Sequence, residues 1–192
     1  MFFLRQPSSE SIQRFISSQR ELPFSYPEVG ATAGELPAGY IVDRNRTRLG
    51  TGKETYERAI AALRNWRQFD LGWVRMVPAE TPIELGAVVA ILTHHFGFWS
   101  LNACRVVYLI DEDGPVKKFG FAYGTLSSHV ERGEERFTIE WDQTDDTVWY
   151  EILAFSRPNQ LLVRLGFPLA RELQKRFAID SLSVMIEAAN VD

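Results

Sequence analysis

An α+β fold is predicted, with a curved antiparallel sheet built as a meander, a long helix after it and helices before it. Three observations predict this. Between Arg105 and Pro158 the chain runs through four or five segments of strand-like composition, rich in aromatics, with charges set into apolar faces. Gly114, Gly133 and the cluster Asp142–Asp146 mark the links between those segments. Such short links allow hairpins but not parallel crossovers. Beyond the strands, Leu161, Leu165, Leu169, Leu173 and Phe177 recur every four residues, an apolar helical stripe. A sheet curved around that stripe buries it, and sheets of this shape leave room for a cavity.

The 192 residues fit one domain, 1–192, large enough to bury a core without disulfides or metal. Apolar residues make up 45% and charged residues 24%, as in soluble globular proteins. The net charge of -4 excludes nucleic acid as the main partner, because phosphate binding needs a basic footprint. The single cysteine, Cys104, lies in a strand-like segment and fits a reducing compartment. The start, Met1–Pro7, lacks the cationic and apolar regions of a signal peptide. No run reaches the ~18 apolar residues that span a bilayer. A cytoplasmic location is expected.

Four parts follow along the chain. Residues 1–50 hold a short helix over Ser8–Gln19, with Ile12, Phe15 and Ile16 on one face, then a Pro- and Gly-rich wrapping segment with a short strand near Tyr40–Arg44. Residues 51–69 form a helix started by a capping box, Thr51 with Glu54. Residues 73–156 form the sheet: Trp73–Pro78, Gly86–Thr93, Leu101–Asp111, Val116–Leu126, Glu134–Trp141 and Thr147–Phe155. Residues 159–189 are helical, and Pro168 either kinks that helix or marks its first turn.

The usual catalytic motifs fail. Gly50-Thr51-Gly52-Lys53 would need Gly at 47 and Ser or Thr at 54 to be a phosphate loop, and Thr47 and Glu54 stand there. His94 and His95, adjacent on one strand, point to opposite faces and cannot share a metal; His129 falls in a loop. No nucleophile elbow surrounds Ser127 or Ser128, and Cys104 reads as inert packing. No metal and no cofactor are expected.

Charges within apolar strand faces carry the better signal, since a buried charge costs several kcal/mol unless paired. By period-two parity Arg105 lies with Ala103 and Val107, Glu135 with Phe137 and Ile139, Glu151 with Trp149 and Phe155, and Tyr123 with Phe121. Two readings stand side by side. A structural ion pair such as Arg105 with Glu135 would satisfy itself. Alternatively Arg105, Tyr123, Glu135 and Trp149 contact a ligand whose body lies against Phe121, Phe137 and Phe155, with Arg157 at the cavity mouth. Glu134, Arg136 and Arg132 read as a solvated face.

Four blocks, among them Tyr40-x-x-Asp43-x-x-Arg46-x-x-Leu49-Gly50-x-Gly52, Gly97-x-Trp99 to Arg105, Phe119 to Phe137 and Phe155-Ser156-Arg157-Pro158, resemble the domain-of-unknown-function family 1990 of bacteria and plants. That resemblance covers nearly the whole chain and implies no activity. More remotely, the order of elements is similar to the helix-grip superfamily of START domains and polyketide cyclases, whose members mostly bind apolar small molecules. Three functions are therefore weighed: binding of a small apolar or amphipathic molecule; an enzyme with Glu135 or Glu151 as general base and Tyr123 or Arg105 polarising an oxygen; and a protein-interaction module using an exposed Phe96–Trp99 patch or the last helix.

Overall fold

The computed structural model describes residues 1–159 and 167–190. Among them eight strands form one antiparallel sheet: β1 (Phe2–Phe3), β2 (Ile41–Thr51), β3 (Val74–Val77), β4 (Val88–His95), β5 (Phe98–Glu112), β6 (Val116–Thr125), β7 (Glu131–Asp142) and β8 (Thr147–Pro158). Their order is β2-β8-β7-β6-β5-β4-β3, with β1 beside the start of β5. The meander from β4 to β8 follows from the tight links, and a ten-residue loop joins β3 to β4. Phe96-Gly97, both at positive φ, turns β4 into β5, and Asp146 at positive φ precedes β8.

The short strand expected near Tyr40 is instead an eleven-residue strand, β2, lying along β8 from Ile41↔Ser156 to Thr51↔Thr147. Its charged residues disguised it: Arg44, Arg46 and Arg48 alternate with Asp43, Asn45 and Thr47, so only one face carries the cations.

Among the described residues three α-helices flank the sheet: α1 (Ser9–Gln19), α2 (Gly52–Arg64) and α3 (Phe167–Asn190). Ser8 caps α1 by accepting from Ser11 N. The capping box expected at α2 is absent, because the Thr51 side chain caps nothing. Thr55 instead donates to Thr51 O at 2.8 Å, and Glu54 pairs with Arg58 one turn on. α2 ends at Arg64 rather than Phe69; Trp66, at positive φ, breaks it before a 3-10 turn over Arg67–Phe69. Pro168 falls in the first turn of α3, where its missing N–H costs nothing. Leu161 and Leu165 lie outside the described residues, and Asn159 is not helical but donates its N–H to Val130 O.

α2 and α3 cover the concave face. The core there joins Leu63, Trp66, Phe69, Phe121, Phe137, Tyr150 and Met185. Arg58 donates to Ala189 O and Asn190 to Leu49 O, both at 2.8 Å, which ties the end of α3 to α2 and β2. A second cluster packs α1 against the convex face through Ile12, Ile16, Leu92 and Leu101. This curled sheet holding a C-terminal helix is the helix-grip arrangement.

Candidate functional site

A cavity of about 490 Å³ lies between the concave face and the N-terminal half of α3. Phe69, Trp73, Leu173 and Phe177 form much of its apolar wall. That volume lies within the range of small-molecule sites.

Register decides what faces it. Residues directly opposite across paired strands share a face, and one such row runs Val106–Tyr123–Glu135–Ala154–Asp43 over β5, β6, β7, β8 and β2. The next row holds Phe121, Phe137 and Ile152. Tyr123 and Glu135 therefore project into the cavity, where the Tyr123 hydroxyl donates to Glu135 Oε2 at 2.6 Å. Burial raises the Glu135 carboxyl to about 7; the Tyr123 hydrogen bond opposes that shift, and the nearby Glu131 and Asp43 charges add to it. No cation pairs with Glu135 among the described residues.

At the α3 side the cavity has a built polar rim. Arg171 grips Asp43 with two hydrogen bonds, at 2.6 and 2.7 Å. Gln174 donates to both oxygens of Glu131, at 2.8 and 2.9 Å. Burial also raises the Glu131 carboxyl. At the far side stand His95 and Asn102, whose Nδ1 and Oδ1 are buried without a partner. Cys104, expected to be inert packing, borders the same space, and burial pushes its thiol up.

Of the sequence candidates, Tyr123 and Glu135 are brought together at this wall. Phe121 and Phe137 are fully buried beneath Trp66 and Phe69, at ring distances of 4.9 and 5.6 Å, and support the site from the core. The remaining four lie on the convex face; Phe155 packs there on Tyr26 and Tyr40, at ring distances of 5.6 and 5.0 Å, and not against the cavity body. Arg105 donates to Arg20 O and Leu22 O, at 2.5 and 3.0 Å, so it fixes the exit from α1. Arg46 stacks over Trp149 at 4.4 Å, and Arg157 stacks over Tyr40 at 4.3 Å. Arg105 stands in the row of Gly124 and Glu134, whereas Glu135 stands in the adjacent row of Tyr123 and Val106, so the two side chains lie on opposite faces and no ion pair joins them. Glu151 is likewise convex and pairs with Arg136 at 2.8 Å, which removes it as a candidate base.

Glu134 overturns the expected solvated face. Only 2% exposed, it accepts from Tyr26 OH and Gly30 N at 2.7 Å and from Thr32 N at 2.9 Å. The wrapping segment thus covers the convex side and satisfies this carboxylate. Gly124 makes room for it: a Cβ there would occupy the position of the Tyr26 ring.

The sequence reasoning missed Glu131, Gln174 and Asn102. Parity would have placed Glu131 with Glu135, but β7 was expected to begin only at Glu134. Gln174 and Asn102 carry no local signal at all.

Residues 25–184 match the family model described as a domain of unknown function, DUF1990. The chain belongs to the DUF1990 family. A UPF0548 protein of Dictyostelium discoideum is 42% identical over 98% of this chain and 95% of its own length. Among solved structures, TTHA0849 from Thermus thermophilus superposes with a TM-score of 0.52 at 12% identity, over 78% of this DUF1990 chain and 97% of that one. Human STARD10 gives 0.48 at 12% identity, over 96% and 80%. No helix among the described residues is long and apolar enough to cross a membrane.

Proposed function

We propose that the protein binds one small apolar or amphipathic molecule between the sheet and α3, with Tyr123 and Glu135 holding its polar end. The observation that carries this is the hydrogen-bonded Tyr123–Glu135 pair, without a cation among the described residues, on the wall of a cavity whose body is lined by Phe69, Trp73, Leu173 and Phe177. A carboxyl enclosed by protein yet facing open space is not there for folding, since burying it unpaired opposes stability. Trp149, Arg105 and Arg157 have no part in the contact. Cys104, buried and the only cysteine, suits a carrier working in the reducing cytoplasm.

The test compares native and denatured masses of the gently purified protein. A stoichiometric adduct, lost when Ala154→Phe fills the row beside Glu135, is the expected result. An adduct retained in full by Ala154→Phe, or an empty protein that no amphiphile, whether cationic, neutral or anionic, stabilises against heat, would overturn the reading.

One observation favours an enzyme as the second reading. A carboxyl at about 7 is matched to general-base work near neutral pH. Such an enzyme would gain activity with rising pH, with a midpoint near 7, and Glu135→Gln would abolish it.

A further inference from the structure

The cavity wall is unbalanced in its hydrogen-bonding groups. Several of its donors are engaged by the protein: Tyr123 on Glu135, Gln174 on Glu131, the Arg132 Nε on Asn159 at 2.5 Å, and Lys175 on Glu172 at 3.0 Å. Arg171 beside it is spent on Asp43. Acceptors remain. Glu135 Oε1 accepts from none of the described residues, and the Asn102 carbonyl oxygen is buried without a donor. His95 adds a third, because burial lowers its pKa, favours the neutral ring and leaves one ring nitrogen as an acceptor. Glu135 is also without a cation: of those around the cavity, Arg171 answers Asp43, Lys175 answers Glu172 and Arg132 donates to Asn159, and none pairs with Glu135 among the described residues.

A ligand that completes this wall brings donors and positive charge. We propose that it is an amphipathic amine, its ammonium on the Glu135 carboxylate and its apolar body between Phe69, Trp73, Leu173 and Phe177. This rests on the pocket reading above and names the ligand's chemical class. An anionic amphiphile placed there meets repulsion from the Glu135 carboxylate instead of an ion pair. A neutral alcohol can use the acceptors but gains nothing from the charge.

The groups facing Glu135 set the pH dependence. Tyr123 from β6, Cys104 from β5, Asp43 from β2, Glu131 from β7, His95 from β4, and Arg171, Gln174 and Lys175 from α3 surround the cavity. Cys104 and Tyr123 are both pushed upward by burial and stay neutral. Glu135, at about 7, must lose its proton to pair with an ammonium, while a primary amine near ~10 stays charged. Affinity for an amine therefore rises from pH 6 to pH 8.

The experiment titrates the full chain with n-decylamine, 1-decanol and decanoate by calorimetry, at pH 6 and pH 8, in the natural sequence, Glu135→Gln and Ala154→Phe. The expected result is decylamine binding at least about tenfold tighter than the other two at pH 8, the difference lost in Glu135→Gln. Ala154→Phe controls for attraction of any cation to an acidic chain and abolishes binding. Decanol or decanoate binding as tightly as the amine, or a preference that survives Glu135→Gln, would overturn the amine class and leave the pocket standing. Failure of all three probes to bind, or binding undiminished in Ala154→Phe, would remove the pocket reading and the amine with it.

Discussion

Replacing Glu135 by Gln keeps its shape and removes its titration, so it isolates what the carboxyl costs the fold. In the folded protein this group holds its proton up to about 7, against about 4.5 when free. A raised carboxyl favours the folded state while protonated, and that advantage is lost as pH climbs through 4.5 to 7. Glu135→Gln is thus expected to gain stability over the natural protein between pH 5 and pH 8, by about 1–3 kcal/mol, read from denaturant unfolding at both pH values. Tyr123→Phe acts in the opposite sense on the same carboxyl. It removes a hydrogen bond that favours the ionised form, so the Glu135 midpoint in an NMR titration moves above 7. His129 is a separate case: burial holds it near 4, hence neutral, and the unfolded chain takes up its proton first. Its contribution is lost as pH falls from about 6.5 towards 4, which hydrogen exchange around the Leu126–Glu131 turn follows.

Among the elements, the wrapping segment depends most on one residue. Glu134 binds Tyr26, Gly30 and Thr32 at once, and Arg136 donates to Thr32 O at 2.7 Å. Glu134→Ala strands those donors in a buried layer, at about 2–4 kcal/mol. Amides of residues 25–34 are expected to lose hydrogen-exchange protection while the β6–β7 ladder keeps it; uniform loss across the sheet would refute this division of labour. The N-terminal half of α3 is held differently, by Arg171 on Asp43 and Gln174 on Glu131, both at the cavity rim. The far half is held by packing. Met185 is fully buried between α2 and the sheet, so Met185→Ala is expected to cost about 2–5 kcal/mol of global stability in denaturant unfolding.

Across the whole molecule, the readable part was whatever is periodic. Hydrophobic alternation and turn residues anticipated the strands of the meander from β3 to β8 to within about three residues at each end, and the four-residue repeat pointed to a C-terminal helix, which is described from Phe167 onward. The same alternation correctly put Glu135 with Phe137 and Glu151 with Trp149. It failed at β2, whose arginines face the convex side, and at the α2 cap, where Thr55 satisfies Thr51 O and leaves the capping box unformed. Parity tells which residues of one strand share a face, but not which face of the sheet is concave. That choice follows from curvature and from where α2, α3 and the wrapping segment pack, contacts between residues up to about a hundred positions apart. It sent the adjacent residues Glu134 and Glu135 to opposite sides, one into a closed network and one into an open cavity. The order of elements and the composition of each strand lay in the sequence, because they rest on local periodicity and turn chemistry. The pairing of Tyr123 with Glu135, the diversion of Arg105 to the end of α1 and the acceptor-rich wall arose only in tertiary structure, because each depends on register and curvature across several strands.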